Sequence, residues 1–370
     1  MAQIPPRHGG NLQQAARQLG CRPEQLLDFS ASLVPFGPPA ALRRVWRRAL
    51  RGGATADLVA YPDRSYRDLR EAIALHHGID AAAVLPGNGA AELFTWAARD
   101  AAALGVNTLL APGFADYQRA LACWNGRWCT SLLQLPHRKA GPQAVTEALV
   151  EPLPPLGGPL WITNPHNPTG QLWSRESLLQ LLEQVPLLVV DEAFLPLVPG
   201  GEQQSLLPLA AEHPRLVVIR SLTKLCAIAG VRLGYAVALP QRLQQWSQWR
   251  DPWPVNGLAA AAGGALIADR SWQQRVQRWL GREGPWLQQA LARRPGLRVS
   301  PSAANYVLIA ADHSLQPLRI ALEQQHRILL RDCRSFEGLD DCWLRLAVLD
   351  RRRNQQLLRA LDQALVPDRA

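Results

Sequence analysis

The chain has 370 residues, of which 48% are hydrophobic and 19% charged, with a formal net charge of +10. That balance excludes a disordered protein and predicts a large buried core, in two domains or one large domain with a smaller partner. No apolar run reaches membrane-spanning length, so no membrane association is expected.

The excess positive charge is scattered through helical patterns such as Leu42 to Arg51 and Asp350 to Leu365. No basic and aromatic residues interleave as in an RNA-binding surface. A solvated basic surface that attracts anionic substrates is expected, and no nucleic acid. The amino-terminal stretch MAQIPPRHGGNLQQAARQLG lacks the apolar segment of a secretory signal. The six cysteines form no CxxC pair and no zinc spacing, so no metal is expected and free thiols in a reducing cytoplasm are the simplest reading.

Leu85 to Phe94, LPGNGAAELF, reads as a glycine turn opening a helix. Free backbone N–H groups and a positive helix end there would suit a phosphate, although such a turn can be only a turn. A helix-like stretch follows to Leu104. Short apolar runs then read as buried strands: Val106 to Ala111, Pro159 to Thr163, Pro186 to Asp191, Arg215 to Ser221 and Leu233 to Leu239. Between them Ser174 to Val185 reads as a helix opened by a capping box, Ser174 with Glu176 and Ser177 nearby. Strands alternating with helices predict an α/β domain with a mainly parallel sheet, whose ligands sit at the carboxyl ends of the strands. Thr163, Asp191 and Ser221 fall at such ends and should face one crevice.

Pro252, Pro254 and Gly257 punctuate a boundary. One long helix is expected from about Gly257 to Arg294, then a strand from Asn305 to Ala310. The expected division is an amino-terminal arm with part of a small domain (1–45), a large domain (46–255) and a small α+β domain (256–370).

Two lysines, Lys139 and Lys224, stand in a chain whose other basic side chains are arginine or histidine. Arginine cannot lose its proton at neutral pH or form a Schiff base, so Lys224, in SLTKLCAIAGVRLGY, is a candidate for covalent chemistry. Two Asn-Pro steps in TNPHNPTG would fix a rigid turn able to aim Asn167 at a planar ring. Asp191, in LLVVDEAF, is a carboxylate at a buried strand end and needs a cation or donor there.

Asn-Pro-x-Asn-Pro-Thr-Gly, then Asp-Glu-Ala-Phe, Ser-x-Thr-Lys and Gly-x-Arg-x-Gly-Tyr, in this order, resemble the class I/II pyridoxal phosphate aminotransferase family. The resemblance implies a fold-type I homodimer with its active site at the subunit interface. It implies pyridoxal 5'-phosphate held covalently by Lys224, with Asp191 at the ring nitrogen, Asn167 at the phenolic oxygen and Phe114 stacked on the ring. Gly89, Ala90, Ser221, Thr223 and Arg232 would cup the cofactor phosphate, and Tyr61 would reach the neighbouring subunit's phosphate unless it is only a turn residue beside Pro62. Where the family often has tyrosine after Asp-Glu-Ala, this chain has Phe194, which offers no hydroxyl.

The segments around His8, YPDRSYRDLREAIALHHGI, RILLRDCRSFEGL and WLRLAVLDRRRN are similar to the branch that decarboxylates threonine phosphate in cobalamin biosynthesis. Histidinol-phosphate aminotransferases are the next branch and the alternative; a non-catalytic protein of this fold is a weaker one. In this branch Arg345 would clamp the substrate carboxylate, and Arg331 and His8 its phosphate. Asn167 and Ser32 would complete the substrate site, although Ser32 stands where the branch usually has asparagine, and His8 can also belong to a flexible terminus. Decarboxylation and transamination use the same residues and stay open.

Overall fold

A computed structural model describes residues 9–51, 53, 57–133, 135 and 157–365. Its large sheet has seven strands in the spatial order Val84–Gly87, Gly234–Val237, Leu216–Ser221, Leu188–Asp191, Leu160–Thr163, Asn107–Ala111 and Trp128–Leu132. Gly234–Val237 runs antiparallel to both its neighbours; the other pairs are parallel. The sheet is thus mixed and mainly parallel, in an α/β fold.

The central strands are mostly apolar, with polar residues near their carboxyl ends, because both sheet faces are covered. Leu188, Val190, Leu216 and Val218 point into one core, and Val189, Val217 and Ile219 into the other. On the second face the helix Ala90–Ala103 packs Leu93, Phe94, Ala97 and Ala101 against the sheet. Strand alternation thus assigns each side chain to a face.

A second sheet of four strands pairs Arg331–Asp332 with Trp343–Ala347, then Tyr306–Ala310, then Arg298–Val299, all antiparallel. The amino-terminal segment returns to it: Leu27–Asp28 pairs in parallel with Ile328–Leu329, and Ala347 N–H donates to the Phe29 carbonyl at 2.8 Å. This pairing brings the loop after Phe29 beside Arg345.

Two local expectations need correction, and two strands were not expected. Ser174 caps the helix Arg175–Gln184 alone, accepting from Ser177 N–H at 3.1 Å. A reciprocal carboxylate would have to stand at position 177, and Glu176 is one residue early. The long helix from Gly257 is two, Gly257–Ile267 and Arg270–Ala292, because Asp269 accepts from Trp272 N–H at 3.0 Å and caps a new start. The strands Val84–Gly87 and Trp128–Leu132 had no sequence signal: the first is short and contains Pro86, and the second is a half-exposed edge. Among the described residues no helix is long and apolar enough to cross a membrane.

Candidate active site

A cleft of about 200 Å³ opens where the carboxyl ends of the parallel strands face the second sheet. Asp191 ends the strand Leu188–Asp191 and Ser221 ends Leu216–Ser221; both line the cleft. The one-turn helix Leu222–Leu225 follows at once and carries Thr223 and Lys224 into the same space. Thr163 is level with Asp191 in the sheet register, but it lies beneath the cleft rather than in its wall.

Asp191 is buried and holds its carboxylate with two donors. Ala193 N–H reaches Oδ1 at 2.9 Å and the Tyr117 hydroxyl reaches Oδ2 at 2.7 Å. Burial pushes this carboxyl up to about 6, against the pull of the Tyr117 bond, the Ala193 N–H and the Lys224 charge. Burial drives the Lys224 ammonium down to about 8, helped by Arg345 and opposed by Asp191. Its Nζ lies 5.6 Å from the centre of the Phe194 ring. Lys224 is therefore close to the balance between ammonium and nucleophilic amine at neutral pH.

A cradle for an anion is built at one end. Gly89, at φ 72°, precedes the helix Ala90–Ala103, and a Cβ on it would stand 2.6 Å from an Arg232 guanidinium nitrogen. Only glycine lets the arginine come so near. Arg232, itself at φ 62°, lines the cleft with Ala90, and its Nη1 is held by the Ala229 carbonyl at 3.1 Å. Ser221 and Thr223 add hydroxyls 2.6 Å apart. A helix amino terminus, two hydroxyls and a guanidinium match the donor set of a phosphate site.

Asn167 lies in the loop after Leu160–Thr163, whose Asn164–Pro165 and Asn167–Pro168 bonds are both cis. Asn164 holds this loop by exchanging two bonds with Trp173, at 2.9 and 3.2 Å. Asn167 Oδ1 accepts from Arg345, whose Nη2 donates to the Ser30 carbonyl at 3.2 Å. Arg345 Nε and Ser32 Oγ are buried with no hydrogen-bond partner among the described residues. Buried polar groups of this kind call for a ligand.

Arg331 stands opposite Arg345 in the strand register and donates to Ser335 Oγ at 2.6 Å. The two guanidinium carbons lie 5.0 and 5.9 Å from the Phe336 ring centre. Burial, then the neighbouring Arg345, pulls Arg331 down to about 10. Phe114 also lines the cleft, and Phe194 packs edge-on against Tyr306 at 5.0 Å.

One expected site residue is not brought there, and another cannot be placed. Tyr61 is 78% exposed, stacks on Trp253 at 4.3 Å and lies outside this cleft. His8 lies outside the described residues. Tyr117 and Phe336 carry no sequence signal of their own as site-forming residues. Tyr117 stands three places after Phe114 in APGFADY, one helical turn away, which is the spacing that could have found it.

Residues 24–361 match the family model described as aminotransferase class I and II. The chain is 37% identical to the threonine-phosphate decarboxylase of Salmonella typhimurium, covering 99% of this chain and 98% of that protein. It is 28% identical to a histidinol-phosphate aminotransferase of Ralstonia nicotianae, over 96% of this chain and 93% of that one. In three dimensions it is similar to the histidinol-phosphate aminotransferase of Sinorhizobium meliloti solved with pyridoxal-5'-phosphate. There the TM-score is 0.79 at 22% identity, with 98% of each chain covered. The chain belongs to the class I and II aminotransferase family.

Proposed function

We propose that this protein is a pyridoxal 5'-phosphate-dependent lyase that converts L-threonine O-3-phosphate to (R)-1-amino-2-propanol O-2-phosphate and carbon dioxide, in cobalamin biosynthesis. The observation that carries this reading is the pairing of Arg331 and Arg345 as register partners that both reach the cleft. An amino acid phosphate brings two anions, a carboxylate and a phosphate, which match two guanidiniums in one cleft. The identity to a threonine-phosphate decarboxylase over the whole chain supports the same substrate. Transamination of histidinol phosphate, which carries one anionic group, with 2-oxoglutarate, which carries two, is the second reading, supported by the Ralstonia relative.

The cofactor fits the residues present. The close approach of Arg232 to Gly89 leaves a cradle for its phosphate, and Asp191 is a buried carboxylate able to face its ring nitrogen. Lys224 would hold it covalently, Asn167 would meet its phenolic oxygen, and Phe114 would cover a ring face. When bound, pyridoxal phosphate supplies a π system that takes up the electron pair left at Cα. Arg345 grips the carboxylate through two N–H groups and fixes the torsion about Cα. By fixing that torsion Arg345 would decide whether the carboxylate or the hydrogen leaves Cα. Lys224, at the cleft wall, would return a proton to Cα. Arg331, with Ser32 nearby and His8 from the amino-terminal arm, would bind the substrate phosphate.

The reading includes a cytoplasmic homodimer, in which Tyr61 completes the neighbouring subunit's cofactor phosphate site. The exposure of Tyr61 with Leu58 and Val59 supports a covered surface there, and the six free cysteines fit a reducing compartment. We assign the arm to residues 1–45, the large domain to 46–255 and the small domain to 256–370. The test is a comparison of kcat/KM on threonine phosphate, followed as carbon dioxide, with that on histidinol phosphate and 2-oxoglutarate. A higher value for histidinol phosphate would replace this reading with the second.

A further inference from the structure

Behind Asp191 lies a directed chain of hydroxyls that the family motifs do not include. Tyr117 sits in the first turn of the helix Asp116–Ala122, and its hydroxyl is 2.7 Å from Asp191 Oδ2 and 2.7 Å from Thr163 Oγ1. A phenol has one proton to donate, and an ionised carboxylate only accepts. The Tyr117 proton therefore points at Asp191, and the Thr163 hydroxyl donates to the Tyr117 oxygen. All three side chains are buried: Tyr117 is 5% exposed, Thr163 2% and Asp191 4%.

The phenol cannot turn away. Its ring packs edge-on against Phe94 at 5.1 Å and Phe114 at 5.6 Å, and lies against Trp161 at 5.2 Å. Thr163 is the register partner of Asp191 on the adjacent strand, so the sheet itself fixes the ends of the chain. The other charged or titratable groups acting on Asp191 are Lys224 after the next strand, Glu192 beside it in sequence, and Tyr306 from the second sheet.

We propose that Tyr117 is a positioning residue that fixes where the proton between Asp191 and the cofactor rests. Its donated bond makes the carboxylate a weaker base, so that the proton stays on the cofactor's ring nitrogen. This rests on the cofactor reading given above. Burial brings Asp191 to about 6, and the Tyr117 bond opposes a further rise. Without the phenol the carboxylate gains basicity and draws the proton to itself. The ring then withdraws electrons less, and the Lys224 nitrogen bonded to it becomes more basic.

The test uses the holoprotein and its absorption as a function of pH, with no turnover involved. In Tyr117→Phe every ring contact stays and only the hydroxyl goes. The titration midpoint of the bound cofactor should rise by about one unit, the size of one charge-assisted hydrogen bond. Nitrogen NMR of ring-labelled pyridoxal phosphate should move toward the unprotonated signal. Thr163→Val, which weakens the same bond from behind, should shift both readings in the same direction by less. Trp161→Phe loosens the ring's packing but keeps the hydroxyl, and should leave the midpoint at the wild-type value. Unchanged midpoints in Tyr117→Phe overturn the proposal, as does an equal shift in Trp161→Phe. If Tyr117→Phe does not fold, an unchanged midpoint in Thr163→Val overturns it. A wild-type protein that takes up no pyridoxal phosphate would instead overturn the cofactor reading.

Discussion

Arg220 and Glu192 form a buried ion pair, Nε to Oε2 at 2.8 Å, and each is the chain neighbour of a cleft residue, Ser221 and Asp191. The pair ties together the ends of the two strands that present those residues. Arg220 also donates to both oxygens of Glu202, at 2.9 and 2.8 Å. Removing one member of a buried pair strands the other charge. Arg220→Met should therefore cost about 3–5 kcal/mol of folding stability. Urea unfolding of the cofactor-free protein measures it; a loss below about 1 kcal/mol would mean that Glu192 finds its compensation elsewhere.

Lys224 can bond covalently only as the neutral amine, and it titrates at about 8. Covalent uptake of pyridoxal phosphate by the cofactor-free protein should rise about tenfold per pH unit below that value and level off above it. Arg345 depresses this group, so Arg345→Ala should move the break to higher pH. Lys224→Ala should abolish turnover and keep the fold. Borohydride reduction followed by peptide mapping should find the cofactor on Lys224, and finding it on Lys139 would refute the assignment.

Arg345 and Arg331 are assigned to different anions, and their variants should differ in kind. Arg345→Ala frees the torsion about Cα, so decarboxylation should fall and a larger share of turnovers should end in pyridoxamine phosphate. A loss of about a hundredfold in kcat/KM is expected for a buried bidentate contact. Arg331→Ala should mainly raise KM for threonine phosphate and narrow its advantage over threonine. The reverse pattern would exchange the two roles.

Tyr61 lies away from the cleft of its own chain, so its proposed target is the other subunit. Mixing inactive Tyr61→Ala and Lys224→Ala proteins under exchange conditions should restore activity to about a quarter of the sites, by random pairing in a twofold dimer. No recovery, or full activity in a monomer, would place Tyr61 outside the mechanism.

Sequence reasoning reached the strands whose residues are apolar on both faces, such as Leu188–Asp191 and Leu216–Ser221, because burial on both sides leaves an unbroken run. It reached Lys224 and Asp191 because a lone lysine and a carboxylate at a strand end are chemically conspicuous. It did not reach the edge strand Trp128–Leu132, where half-exposure blurs the pattern. Nor did it reach Tyr117, whose meaning depends on contacts with Thr163 and Asp191, 46 and 74 residues further along the chain. The return of the amino-terminal segment to the second sheet, which sets Ser30 beside Arg345, is likewise a pairing of distant backbone with no local signature.

In the proposed reaction the bond from Cα to the carboxylate breaks and the bond to hydrogen does not. Carboxyl-labelled threonine phosphate turned over in deuterated water reads this directly by NMR. The label should leave as carbon dioxide, while the aminopropanol phosphate keeps its original Cα hydrogen and gains one deuterium. Label retained in a keto acid phosphate, with the enzyme left carrying pyridoxamine phosphate, would contradict it.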